Sequence, residues 1–221
     1  MIRRPPRSTQ GVSSAASDVY KRQIQSETYG FFPIPITRYR LQEHESIKKD
    51  ILSWMQDEKI LESHGREAIS HNVSQIGPTN KLLHDCPHIE DALNAAINKH
   101  NTHSFNYKPN LIINESYVEL HGQGAIYAPH EHSNCLYSLT YLINYNPDQH
   151  AFIKWRKNVA SNHYPILQIE SVDATAFNLT EATFNMQEGD VILYPSNLTH
   201  GYDSNPMPER ITLTANITIS N

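Results

Sequence analysis

The chain has 221 residues, 38% of them hydrophobic, and a formal charge of −5 at neutral pH. That length supports one substantial core, and no apolar run approaches the 18 or so residues that a membrane helix needs. The two cysteines, Cys86 and Cys135, show neither a disulfide framework nor a CxxC spacing, which points to reduced thiols in an intracellular, cytoplasmic protein.

The first 23 residues stand apart. They are basic, Ser-rich and without hydrophobic periodicity, and hold five of the 18 basic residues but one of the 23 acidic ones. Lacking an apolar stretch, this opening is no secretory signal. It reads as a non-native or disordered leader, closer to translated adaptor sequence than to a transit peptide, and residues 24–221 are expected to form a single domain. Without the leader the formal charge is −9, which argues against a nucleic-acid partner, because phosphate binding needs a basic face.

In chain order, Tyr29 to Thr37 contains Pro33 and Pro35 and reads as an edge strand or extended lead-in. Leu41 to about Ser63 reads as a helix, with Ile47, Ile51, Leu52 and Met55 at helical spacing. Residues 65–80 look like loop, punctuated by Gly77-Pro78. Asp85-Cys86-Pro87 looks like a helix start, and Ile89, Leu93, Ala96 and Ile97 give that helix one apolar face. From Leu111 onward the chain turns to short β-branched and aromatic runs: 111–120, 125–130, 136–144, 151–157, 165–170, 191–194 and 210–220. Turn residues separate them, as in Asn146-Pro147-Asp148 and Glu188-Gly189-Asp190. The expected fold class is mainly β: a double-stranded β-helix (jelly roll, cupin-like) core preceded by two α-helices that pack outside it.

His130 and His132 lie two apart in Tyr127-Ala128-Pro129-His130-Glu131-His132-Ser133. In an extended chain they aim at one point. With 13 histidines in the chain, that spacing alone is balanced between a metal site and surface histidines near a turn. Three features tip it. His200 follows the apolar run Val191 to Tyr194, Arg210 and Thr212 share a face of the last strand, and a jelly roll brings such distant strands together inside one barrel. Imidazoles without a thiolate cluster suit Fe, Cu, Ni or Zn. Glu131 points away in a regular strand, although a bend would bring it in as a carboxylate ligand. The other histidines, His121 and His150 among them, read as structural or exposed.

These residues resemble the signature of the iron(II)- and 2-oxoglutarate-dependent oxygenases: His-x-Asp/Glu, a distant His, then Arg-x-Ser/Thr on a jelly roll. Here those positions are His130-Glu131-His132, His200 and Arg210-Ile211-Thr212. The likeness is greatest to a group of such oxygenases frequent in marine bacteria and phages, with a His-x-His…His pattern. Phe32-Pro33-Ile34-Pro35 and Tyr194-Pro195-Ser196 also match that group. Ser133 stands where the group has Pro, and Tyr137, Ser138 and Thr140 depart from its next strand. The resemblance implies Fe(II) on His130, His132 and His200, and 2-oxoglutarate held by Arg210, Thr212 and Tyr141. Hydroxylation by O₂ of a small-molecule or peptide substrate would follow, with 2-oxoglutarate decarboxylated to succinate. The open alternatives are a cupin-like three-histidine metalloprotein that uses no 2-oxoglutarate, which leaves Arg210 without an anion to hold, and an inactive binding barrel. Nothing in the sequence specifies the substrate or the oligomeric state.

Overall fold

The computed structural model describes residues 34–61, 69–157, 172–173, 175 and 178–220. The leader, the expected strand 165–170 and most of the loop from Trp155 to His163 lie outside them. Among the described residues, ten strands form one curled antiparallel sheet. They are β1 (Thr37–Arg40), β2 (Ile60–Leu61), β3 (Ser70–Ile76), β4 (Leu111–His130), β5 (Tyr137–Asn144), β6 (Lys154–Arg156), β7 (Glu181–Ala182), β8 (Asp190–Pro195), β9 (His200–Tyr202) and β10 (Arg210–Ile219). The main path runs β1-β8-β5-β10-β4-β9-β6-β7, with β3 joining β4 and β2 joining β3. This mainly β, double-stranded β-helix architecture is the expected fold class.

Among the described residues three α-helices, α1 (His44–Asp57), α2 (Lys81–Asp85) and α3 (Pro87–His100), and a π-helical turn, Asn101–Phe105, precede the central strands where two helices were expected. The stripe read from the sequence is the buried one. Ile47 and Ile51 of α1, and Ile89, Leu93, Ala96 and Ile97 of α3, enter the main core. Burying each large side chain contributes about 1.5–3 kcal/mol. Helix α3 begins at Pro87, whose missing N–H costs nothing in the first turn. Helix α1 stops at Asp57, earlier than expected, because Glu58 is extended and Ile60–Leu61 pairs with Ile76–Gln75. That pairing also turns part of the expected loop 65–80 into strand β3. Two predicted strands, 111–120 and 125–130, are one continuous β4. Gly124 takes a left-handed φ of +78° at the bend, and the strand keeps going.

The sheet has two unlike faces. On β10, Ile211, Leu213, Ala215 and Ile217 pack with Val118, Leu139, Tyr141, Ile143, Val191 and Leu193 in the core that the helices contribute to. The alternate residues Arg210, Thr212, Thr214 and Asn216 are buried on the other face. Opposite them on β4 stand His121, Glu119, Tyr117 and Glu115. The inside of the curl is therefore polar where β4 and β10 meet, and apolar where Leu142, Ile153, Trp155, Met186, Ile192 and Tyr194 close it.

Candidate metal centre

His130 ends β4 and His200 opens β9, and the two are directly paired across the strands. The approach is close: a methyl group on Gly201 would lie 2.5 Å from the Tyr127 carbonyl oxygen and 3.0 Å from that of Ala128. Glycine after His200 is thus what lets β9 seat its histidine against β4. His132, two residues past β4, is held by its own backbone N–H, which donates to the Ser196 carbonyl at 2.9 Å. The three imidazoles gather with ring centroids 4.5–5.3 Å apart. One nitrogen from each lies within 4.8 Å of the others.

The remaining nitrogens fix which lone pairs are available. His130 Nδ1 donates to the Ala128 carbonyl at 2.8 Å, and His200 Nδ1 to the Leu198 carbonyl at 2.9 Å. His132 Nδ1 donates to Asn216 Oδ1 at 2.6 Å, and Asn216 Nδ2 in turn donates to the Glu115 carboxylate at 2.7 Å. A carboxylate accepts only, so it fixes the orientation of the amide. All three rings are thereby held with Nδ1 as a donor, which leaves Nε2 as the nitrogen that can face a metal, the arrangement of a metal-binding imidazole with its supporting shell. Burial, and to a lesser extent the neighbouring His130, push the His200 pKa down to about 3, which keeps it neutral. Three imidazoles with a nitrogen of each converging on one point fit a divalent metal of the Fe, Ni or Zn type.

Glu131 is turned away: its carboxylate accepts from Thr199 Oγ1 at 2.6 Å. His132, not Glu131, is grouped with His130 and His200.

Beside the histidines is a cavity also lined by Glu119, His121, Thr140, Tyr202, Arg210 and Thr212. Arg210 is 1% exposed. Its guanidinium lies over the Tyr202 ring at 4.5 Å, and its Nε has no hydrogen-bond acceptor. Among the described residues no carboxylate forms an ion pair with it. The nearby Asp203 pairs instead with Lys154 at 2.5 Å. A buried cation of this kind is a ready anchor for an anionic group. Thr212 lines the same cavity.

Tyr141 is not part of this site. It packs in the core on the opposite face of the sheet, with its hydroxyl 2.7 Å from His44 Nδ1. The expected contact between Tyr141 and a cosubstrate is therefore corrected. Parity puts Thr140 in the cavity instead, with Oγ1 3.1 Å from the Tyr194 hydroxyl. The residue that sequence reasoning missed is His121, which faces Arg210 across β4 and β10. It was legible as one of three polar residues, Tyr117, Glu119 and His121, alternating with apolar Val118 and Leu120.

This is a double-stranded β-helix with the fold of the 2-oxoglutarate- and iron-dependent oxygenases, and it carries three histidines that could hold a metal. A prolyl-4-hydroxylase from Pseudomonas putida is similar over 85% of this chain and 94% of its own, with a TM-score of 0.58 and 12% identity. HygX from Streptomyces hygroscopicus, with nickel, 2-oxoglutarate and hygromycin B bound, is similar over 85% and 84%, with a TM-score of 0.55 and 11% identity. A Trichoplax adhaerens prolyl hydroxylase in complex with a hypoxia-inducible-factor peptide is similar over 82% of each chain, with a TM-score of 0.54 and 12% identity. No protein-family model and no curated protein sequence matches the chain. Among the described residues no helix is long and apolar enough to cross a membrane.

Proposed function

We propose that the chain is an Fe(II)- and 2-oxoglutarate-dependent oxygenase that hydroxylates a small-molecule or peptide substrate. The observation that carries this reading is the juxtaposition, in one cavity, of three imidazoles with one nitrogen of each within 4.8 Å of the others and a buried arginine whose Nε has no acceptor. His130, His132 and His200 are the metal ligands, and Arg210 with Thr212 holds the distal carboxylate of 2-oxoglutarate. Bound there, the metal and 2-oxoglutarate would supply the oxidising power for hydroxylating a C–H bond of the substrate with O₂, with 2-oxoglutarate leaving as succinate and CO₂.

The protein's own part is positioning and electrostatics. The backbone carbonyls of Ala128 and Leu198, and the Asn216–Glu115 pair, hold the three rings in a single tautomer and orientation. Arg210 presents its fork of donors without competition from an internal carboxylate, so a bidentate pair with the incoming anion forms at little rearrangement cost. The sheltered cavity strengthens that pair by keeping water from it. Among the solved structures, a peptide fragment and hygromycin B are bound in proteins of this fold, which supports both substrate classes. The cupin-like alternative assigns Arg210 no anion and does not account for its burial.

The test is an anaerobic titration of the purified chain with Fe(II) and then 2-oxoglutarate, followed by exposure to O₂. A visible charge-transfer band on adding 2-oxoglutarate, and succinate formation under O₂, are expected. Stoichiometric iron with neither band nor succinate would establish the cupin-like reading, and no retained iron would establish an inactive barrel.

A further inference from the structure

His121 plays no part in the metal centre, yet it is 1% exposed and stands between two groups that the centre's cosubstrate end uses. Its Nδ1 is 2.5 Å from the Tyr202 hydroxyl and its Nε2 is 2.9 Å from Thr212 Oγ1. Tyr202 also carries Arg210, whose guanidinium lies over its ring at 4.5 Å from the centroid. A buried phenol O–H needs an acceptor for its proton. Tyr202 is 6% exposed, and the acceptor in place is His121 Nδ1. A neutral imidazole that accepts at Nδ1 donates at Nε2, so His121 donates to Thr212 Oγ1. With its oxygen engaged as an acceptor, Thr212 has its own proton left to give, and that side chain lines the cavity.

We propose that His121 is a positioning residue for the cosubstrate. Fixed as the Nε2–H tautomer by the Tyr202 hydroxyl, it commits the Thr212 hydroxyl to act as a donor toward the carboxylate that Arg210 binds. The run of donors is one-way: Tyr202 O–H to His121, His121 N–H to Thr212, and Thr212 O–H to the anion. In the opposite tautomer, a proton on His121 Nδ1 would leave the Tyr202 proton without its acceptor and Nε2 would draw the Thr212 proton to itself, leaving an oxygen lone pair facing the anion. The burial of His121 and the charge of Arg210 both hold the ring neutral, so a tautomer choice exists to be made.

This inference rests on the reading of Arg210 and Thr212 as the 2-oxoglutarate anchor, and the experiment separates the two. Nitrogen-15 spectra of the full chain labelled at histidine report the tautomer without any ligand. His121 is expected to show a protonated Nε2 and a bare Nδ1, with Tyr202→Phe losing that preference. In anaerobic titrations of the iron-loaded chain, His121→Phe and Thr212→Val are each expected to weaken 2-oxoglutarate about tenfold or more. The double variant should be no weaker than the worse single one, because both remove the same hydrogen bond. Iron affinity should be unchanged throughout. A protonated Nδ1, or losses that simply multiply in the double variant, would overturn the proposal. If the parent chain and Arg210→Met take up iron alike but neither binds 2-oxoglutarate, the functional reading itself falls and the proposal falls with it.

Discussion

Replacing Arg210 with methionine should strengthen the fold and abolish the cosubstrate site in the same molecule. Arg210 is buried at 1% exposure with an unpartnered Nε; its compensation is the Tyr202 ring, a cation–π contact worth about 0.5–2 kcal/mol. Replacing a buried charge by an apolar side chain of similar volume is commonly neutral or stabilising by about 1–4 kcal/mol. For a domain of this size each 1 kcal/mol moves the melting temperature by about 2–4 °C. Arg210→Met is thus expected to melt several degrees above the parent without 2-oxoglutarate, and to lose the extra stabilisation that 2-oxoglutarate gives the parent. Arg210→Lys keeps the charge but not the planar fork. Losing one charge-assisted hydrogen bond of about 1.5–3 kcal/mol predicts affinity at least tenfold weaker. Thermal denaturation with and without 2-oxoglutarate, on iron-loaded protein under argon, measures both quantities. Parent-like ligand stabilisation of Arg210→Met would refute the assignment of the anion site. A fall in its ligand-free melting temperature would refute the claim that the guanidinium is held at a cost.

Other substitutions test the metal centre and the fold. His132→Ala should abolish iron retention while Glu131→Ala leaves it nearly intact, as read by metal analysis after gentle purification; the reverse would make Glu131 the third ligand. Gly201→Ala should push β9 off β4 and lower iron affinity even though no ligand is changed, and unaltered metal binding would show that the close approach is dispensable. His100 is fully buried, with Nδ1 2.9 Å from Thr37 Oγ1, and burial holds its pKa at about 4, below the ordinary 6.5. Above pH 6.5 both folded and unfolded chains carry it neutral. Between about 6.5 and 4 only the unfolded chain takes up the proton, so stability falls across that window by about 2–3 kcal/mol and then levels off. Urea midpoints at pH 8 and pH 4.5 should differ less in His100→Gln than in the parent, and an equal difference would exclude this histidine as a source of the acid sensitivity.

The sequence made some of this readable and hid the rest for physical reasons. Helical stripes such as Ile89, Leu93 and Ile97 announce their buried face, because one side of each helix meets solvent. His130 and His132 were legible because a strand's period of two makes i and i+2 neighbours. His200, Arg210 and Thr212 needed the motif, since their proximity is created by distant pairing. Tyr141 could not be oriented by pattern: residues 137–143 of β5 are all buried, so neither face is marked by polarity. The Thr140–Tyr141 choice depends on register with β10, where Thr140 is opposite Thr214 and Tyr141 opposite Leu213. Strand β3 went unseen because its partner β4 lies more than 40 residues downstream, and its burial alternates poorly. His121 was one of 13 histidines with no spacing cue, and only the alternation within β4 sets it apart.

The interleaving of the two faces on β4 and β10 makes the molecule tolerant of one kind of change and intolerant of another. Arg210, Thr212, Thr214 and Asn216 read out the chemistry, while Ile211, Leu213, Ala215 and Ile217 read out the packing, in strict alternation along one strand. Substitutions can therefore rewrite either text without touching the other, and the cavity can be remodelled for new ligands on an unaltered core. A single inserted or deleted residue inside β10 exchanges the two lists past that point, sending polar side chains under the helices and aliphatic side chains into the cavity. Sequence diversification of this barrel should thus proceed by replacement within its central strands, with changes in length confined to the connections between them.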